Sequence, residues 1–401
     1  MSVPKLRFKK FDGEWAETSF QDLFIFKNGV NASKEQYGSG IKFINVLDII
    51  NNPNGITYDS IIGSVDITSK EIDKNLVKYG DVLFQRSSET REEVGQSNVY
   101  LGKEPVVFGG FVIRGSAQKE YDPIFMNGLL KTDSLRDQIT QLSGGSTRFN
   151  IGQDSLNKVT AYLPSKLEQT KIASFLSEVD EKISQLTKKH ALLSQYKQGM
   201  MQKLFSQQIR FKADDGSEFR GWEEKKIGEI STTFSGGTPK SSDKSFYQGN
   251  IPFIKSGEIS QKVTEQYINE VALKNSSAKL VNKGDLLYAL YGATSGQVAI
   301  SQINGAINQA ILCIRSDLNT RYLLNFFLLE KEKILSTYLQ GGQGNLSAAI
   351  IKEISIPVPS LEEQTKIANF LATIDQKIEV VAKQIEQAKQ WKKGLLQQMF
   401  V

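Results

Sequence analysis

Leu163-Pro-Ser-Lys-Leu-Glu-Gln-Thr-Lys-Ile-Ala-Ser-Phe-Leu176 opens a segment that returns as Val358-Pro-Ser-Leu-Glu-Glu-Gln-Thr-Lys-Ile-Ala-Asn-Phe-Leu371. Residues 163–206 align with 358–401 without a gap at an offset of 195, with 19 identities in 44 positions. A repeat of this length sets the architecture before any local propensity is weighed. From Ile172 the apolar residues recur at alternating steps of four and three: Ile172, Leu176, Val179, Ile183, Leu186 and, past His190, Leu193. The second copy gives Ile367, Leu371, Ile374, Ile378, Val381 and Ile385. A narrow stripe of period 3.5 is the pattern of a coiled-coil seam. Pro164-Ser165 and Pro359-Ser360 stand where helices begin. Each helix of ~40 residues is then about 60 Å long.

The chain thus divides into a globular region (1–162), a helix (163–207), a second globular region (208–357) and a second helix (358–401). Arg210-Phe-Lys-Ala-Asp-Asp-Gly-Ser-Glu-Phe-Arg-Gly-Trp222, after the first helix, echoes Arg7-Phe-Lys-Lys-Phe-Asp-Gly-Glu-Trp15 at the start. That echo predicts a circular arrangement, in which the second helix returns beside the N-terminal segment. The two helices must then be antiparallel, forming a rod with a pseudo-two-fold axis across its middle. Within the globular regions, short β-rich runs alternate with helical patches, an α+β pattern. Leu76-Val-Lys-Tyr-Gly-Asp-Val-Leu-Phe84 matches Leu280-Val-Asn-Lys-Gly-Asp-Leu-Leu-Tyr288, a tight turn feeding an apolar strand. Phe111-Val-Ile-Arg114 pairs with Leu312-Cys-Ile-Arg315, and Gly144-Gly-Ser-Thr-Arg148 with Gly341-Gly-Gln-Gly-Asn345. Elsewhere the halves have diverged, as expected of one scaffold reading two targets.

Composition narrows the chemistry. The 401 residues carry 49 Lys+Arg against 44 Asp+Glu, a net charge of +5 that is compatible with a polyanionic partner. One histidine and one cysteine leave no material for a zinc finger or a Cys–His dyad. His190 reads as a polar residue in the seam, and Cys313, in an apolar run, as a core thiol. Gly102-Lys-Glu104 lacks the spacing of a phosphate-binding loop, and no Pro-Pro-aromatic or Pro-Asp motif supplies methyltransferase or nuclease chemistry. The chain is expected to be a cytoplasmic, non-catalytic protein with no membrane segment and no cofactor or metal of its own. Recognition remains. Candidate contacts lie in the loops after the Gly-Asp strands and before the helices: Arg86, Ser87, Arg91 and Arg148 in the first half. In the second they are Lys240, Lys255, Tyr291, Thr294, Gln297 and Asn345. Arg, Gln, Asn and Thr are the residue types that read base edges. Tyr196, Phe205, Trp391 and Phe400, near the helix ends, are expected mainly to pack within the chain.

The doubled Pro-Ser-x-x-Glu-Gln-Thr-Lys-Ile-Ala-x-Phe-Leu segment, the Gly-Asp turn and the Gly236-Gly-Thr-Pro…Ile251-Pro-Phe-Ile254 run resemble the DNA-specificity subunit of type I restriction–modification enzymes. The resemblance spans essentially the whole chain. It implies two target-recognition domains that read the unlike halves of a bipartite site in double-stranded DNA, spaced by the paired helices. It also implies docking of two methyltransferase subunits on those helices and two restriction/translocase subunits in the full complex. S-adenosylmethionine, ATP and Mg²⁺ would act in those partners. Two rival readings are a coiled-coil scaffold that never touches DNA and an anti-restriction decoy that captures methyltransferase subunits.

Overall fold

A computed structural model describes residues 3–338 and 345–401. Gly341–Gly344 of the second Gly-Gly loop lie outside the described residues. The chain forms two compact units, residues 1–188 with 382–401 and residues 189–381. Each long helix is continuous, Lys166–Phe205 and Leu361–Met399, and contributes one segment to each unit.

In the first unit the opening segment of the first helix meets the closing segment of the second. Lys392 bonds Asp180 at 2.5 Å and Trp391 meets Phe175 edge-on at 6.0 Å. In the second unit the closing segment of the first helix meets the opening segment of the second, with Lys197 on Asp375 at 2.6 Å. Start meets end in both, so the helices are antiparallel. The seam is wider than a pure coiled coil. Ile172, Leu176 and Val179 share one core with Leu395, Met399, Phe400, Trp15 and Phe125. Ile367, Leu371 and Ile374 share another with Met201, Leu204, Ile227 and Tyr322. Leu186, Val381 and Ile385 are buried, and Ile183, Leu193, Ile378 and His190 are half-buried. Phe400 and Phe205 pack inward on aromatic neighbours, whereas Trp391 and Tyr196 stay half-exposed.

The helix starts show why the repeated motif is spelled as it is. Ser165 and Ser360 accept the Glu168 and Glu363 amides, each at 3.3 Å, as N-caps. A Ser-x-x-Glu pattern suggests a reciprocal capping box, but both glutamates do something else. Glu168 takes a two-pronged bond from Arg7 at 2.7 and 2.7 Å. Glu363 takes the same from Arg210 at 3.1 and 2.8 Å, and a further bond from Trp222 Nε1 at 2.9 Å. The following glutamines repeat a second device. Gln169 donates to Pro164 O and accepts from the Asp122 amide; Gln364 donates to Pro359 O and accepts from the Asn319 amide. Asp122 and Asn319 each stand at the start of a domain helix, Pro123–Leu129 and Thr320–Tyr338. Glu-Gln therefore fastens the arm and the domain to one helix start.

Each arm then adds a strand to the strand leading into its helix, Ala16–Ser19 on Thr160–Leu163 and Glu223–Lys226 on Ser355–Val358, both antiparallel. Among the described residues each domain also holds two larger sheets. In the first, Phe24–Asn28, Val112–Ala117, Val82–Gln85 and Ser97–Val99 lie side by side, all antiparallel. The other joins Tyr37–Ile44 in parallel to Val107–Phe108. The second domain repeats both: Ser231–Ser235, Ile311–Ser316, Leu286–Ala289 and Val298–Ile300, then Ile251–Ile254 parallel to Gly305–Ile307.

The Gly-Asp turns occupy equivalent places, with Gly80 at φ 90° and Gly284 at φ 101°. The pairing of Arg114 with Arg315 needs correction. Gln85 faces Val112 and Ala289 faces Ile311, so the ladder aligns Arg114 with Cys313 and Ser116 with Arg315. A slip of two keeps a side chain on the same face, and both arginines still reach the turn aspartate. Arg315 grips Asp285 at 2.6 Å, while Arg114 lies 3.8 Å from Asp81. Burial pushes Asp81 above the usual carboxylate range. Burial acts on Asp285 too, but the Arg315 hydrogen bonds, helped by the Asn282 amide, outweigh it and hold that carboxyl low. Cys313 is fully buried, and burial raises its thiol to about 12.

Arg210→Met leaves the wholly buried Glu363 without its cation, and uncompensated buried charge costs roughly 3 kcal/mol. Urea unfolding followed by tryptophan fluorescence is expected to show that loss, and Arg210→Lys to restore part of it.

Candidate nucleic-acid interface

The candidates of the first domain converge on one small ribbon. Ser87–Ser88 pairs antiparallel with Phe149–Asn150, and Ser87 Oγ bonds Asn150 Oδ1. Arg91 lies over the Phe149 ring at 5.5 Å. The Arg86 amide donates to Phe111 O at 2.9 Å, and its own carbonyl accepts from Ile151 at 3.0 Å. Its exposed guanidinium reaches Gly110 O at 3.4 Å. Arg148 is exposed on the turn closed by reciprocal Gly144–Asn150 backbone bonds of 2.9 and 2.8 Å. Gly145 makes that turn possible, since its φ is 122° and a Cβ there would lie 2.1 Å from Arg148 O.

Beside the ribbon opens a cleft of about 1040 Å³. Ser87 and Arg148 line it, with Asn31, Asn45, Gln85 and Phe111. Its rim is apolar and solvent-facing: Ile62 is 94% exposed, Leu47 64% and Phe111 64%. Glu89 and Glu93 also line it. Gln85 is buried; its Nε2 donates to Ser87 O, and its Oε1 is left without a partner.

The second domain carries the same framework with other side chains. Leu346 donates to Leu290 O as Ile151 does to Arg86 O, and Leu290 to Ala310 O as Arg86 does to Phe111 O. Gln297 O accepts from Ala289 as Gln96 O does from Gln85. Gly237 donates to Ile307 O as Val30 does to Phe108 O. These bonds align Tyr291 with Ser87, Asn345 with Asn150, Thr238 with Asn31, Gln309 with Gly110 and Ala310 with Phe111. The parallel ladders align Lys255 with Asn45. Thr238 bonds Gln309 at 2.6 Å, and Tyr291 shares a side-chain hydrogen bond with the same glutamine. Burial raises the Tyr291 phenol, partly offset by Gln309. Lys255 and Thr294 are half-buried, while Lys240, Gln297 and Asn345 are exposed. The structure therefore gathers Tyr291, Lys255 and Asn345 on positions equivalent to the first cleft and its ribbon. Thr294 and Gln297 fall on the following loop, and Lys240 follows Thr238 by two residues.

A type I restriction modification DNA specificity domain matches residues 12–194 and again 220–390. The chain belongs to this specificity family. A provisionally assigned type I restriction enzyme specificity subunit, MjaX of Methanocaldococcus jannaschii, is 27% identical over 401 residues, covering 96% of this chain and 92% of the relative. The StySPI specificity subunit of Salmonella potsdam is 22% identical, covering 93% and 85%. The crystal structure of the M. genitalium type I S subunit shares the fold, with a TM-score of 0.57, 19% identity and coverage of 100% and 99%.

For a specificity-family chain the missed residues are informative. Asn31, Asn45 and Phe111, and Thr238 and Gln309, come from segments remote in sequence from the ribbon loops. Phe111 and Gln309 reach them beside the antiparallel Gln85–Val112 and Ala289–Ile311 pairs, and Asn31, Asn45 and Thr238 join through the parallel pairing. Asn31 and Thr238 do follow glycines whose absent Cβ lets two backbones touch. A Cβ on Gly29 would lie 2.3 Å from Gly109 O, and one on Gly236 1.8 Å from Ile307 O. Among the described residues no cluster of His, Cys, Asp and Glu could hold a metal, and no helix is long and apolar enough to cross a membrane.

Gly145→Ala is expected to loosen the ribbon turn by about 1–3 kcal/mol, because it forces a non-glycine residue into a disfavoured backbone region. Faster amide exchange at Gly144 and Asn150, with unchanged exchange in Val82–Gln85, is the expected reading.

Proposed function

We propose that this chain is the subunit that chooses the DNA sequence on which a type I restriction–modification complex acts. The observation that carries the reading is the match of the DNA specificity domain to both halves of the chain, each on the same framework with different exposed residues. Matching frames with unlike side chains suit a bipartite target whose halves differ. In the first domain Arg86, Arg91 and Arg148 are exposed and can turn to phosphate or guanine, and a two-stranded ribbon is a shape the major groove admits. In the second, Lys240, Lys255, Tyr291, Thr294, Gln297 and Asn345 take those roles.

The long helices set the spacer between the half-sites, and their outward faces dock two methyltransferase subunits, to which two restriction/translocase subunits add. Trp391 and Tyr196, one helix-repeat offset apart and both half-exposed, are the candidate anchors. Adenine methylation with S-adenosylmethionine, and ATP- and Mg²⁺-dependent cleavage, belong to those partners. This chain contributes selection and assembly.

Mapping of methylated adenines in cells expressing the chain with its methyltransferase partner is expected to yield one bipartite motif. Arg86→Ala is expected to relax one half of that motif and leave the other, at a cost of about 1–3 kcal/mol in binding if the contact is bidentate. Methylation without a motif, or binding insensitive to both salt and sequence, defeats the reading.

A further inference from the structure

We propose that the first-domain cleft reads an A·T pair, seating the thymine methyl against Leu47, Ile62 and Phe111 while Asn31 takes the adenine edge. This rests on the recognition role proposed above and assigns part of the specificity within it.

Three observations point the same way. First, the cleft is unsuited to phosphate. Of the charged side chains that line it, Arg148 is outnumbered by Glu89 and Glu93, and carboxylates repel backbone oxygens while accepting from base amino groups. Its occupant is therefore a base edge rather than the sugar–phosphate chain. Second, the rim exposes three large apolar side chains at 94%, 64% and 64%, a concentration that solvated loops do not need. In the major groove the apolar feature that distinguishes a base is the C5 methyl of thymine. An exposed asparagine on the same wall supplies the amide that pairs two-pronged with adenine. Third, the equivalent positions of the other domain are rewritten together. Ser87 becomes Tyr291, Gly110 becomes Gln309 and Asn31 becomes Thr238, which form one hydrogen-bonded set, and beside them Phe111 becomes Ala310. The framework bonds are kept while this set changes from apolar rim and open cleft to polar reader. Positions that vary while their scaffold holds are where two half-sites would be told apart.

The test uses the full chain with its methyltransferase partner and duplexes of the mapped site, in which each thymine is replaced in turn by deoxyuridine. Uracil lacks only the methyl, so binding should weaken about fourfold at one position, the value of one buried methyl group. Phe111→Ala should weaken the thymine duplex and narrow the thymine/uracil difference there, without altering any position of the other half-site. Phe111 is largely exposed, so the fold should tolerate the change. Asn31→Ala provides an independent arm, relaxing adenine on the opposite strand of that pair. Equal binding of thymine and uracil at every position, or a ratio unchanged by Phe111→Ala, overturns the assignment but leaves sequence selection by the chain standing. A wild-type complex that selects no duplex brings down the recognition role as well.

Discussion

The Arg7–Glu168 and Arg210–Glu363 pairs hold the rest of the structure in order. Each carboxylate is almost or wholly inaccessible, so it must be paired, and a two-pronged arginine is the partner that best matches its geometry. The requirement reaches outward. The arginine comes from an arm before the domain, the glutamate from the first turn of a long helix after it. Closing the pair therefore brings together the two ends of everything between them. The neighbouring glutamine adds a domain helix to the same junction through Asp122 or Asn319. The strand added by the arm completes a joint of ion pair, amide bridge and short sheet. A rigid joint of this kind is what a reading surface needs, because base contacts lose their selectivity when their support is loose.

The two units solve this joint with unequal connectivity. Ile209 donates to Lys203 O at 3.2 Å, immediately after the first helix. Leu6 donates to Gln398 O at 2.8 Å, the corresponding bond between residues almost a chain length apart. What the peptide chain secures at one junction is secured at the other by hydrogen bonding and by Phe400 against Trp15 and Phe125. The indole of Trp222 bonds Glu363, whereas the buried Trp15 indole has no partner. The discontinuous joint is thus also the less fully satisfied one.

Much of this was legible because its signals are local or doubled. The long helices were visible in the 3.5-residue spacing from Ile172 and Ile367, and the circular closure in the echo of Arg7–Trp15 by Arg210–Trp222. The Gly-Asp turns were visible because Gly80 and Gly284 need positive φ. Misreading arose where a signal was periodic but not anchored. Arg114 and Arg315 looked equivalent because a strand repeats its face every two residues, and only the ladder fixes which rung each occupies. The cleft was hidden for a different reason. Asn31, Asn45 and Phe111 are joined by parallel pairing of Phe43 with Val107, and a parallel pair leaves no turn signature between its strands. The loop residues Arg86, Ser87 and Arg91 could be found because one short segment carries them all. The role of the motif glutamates was likewise obscured, since Ser-x-x-Glu suggests a cap and nothing local names an arginine 161 residues away.

The discontinuity of the first unit also orders its birth on the ribosome. Residues 189–381 emerge as one uninterrupted stretch and can collapse as soon as that stretch is free, in keeping with the tendency of domains to fold as they are made. The first unit cannot. Its core lacks Leu395, Met399 and Phe400 until Ala382–Val401 has been synthesised, after all of the other unit. The half translated first therefore keeps part of its apolar core uncovered until the last segment has been made.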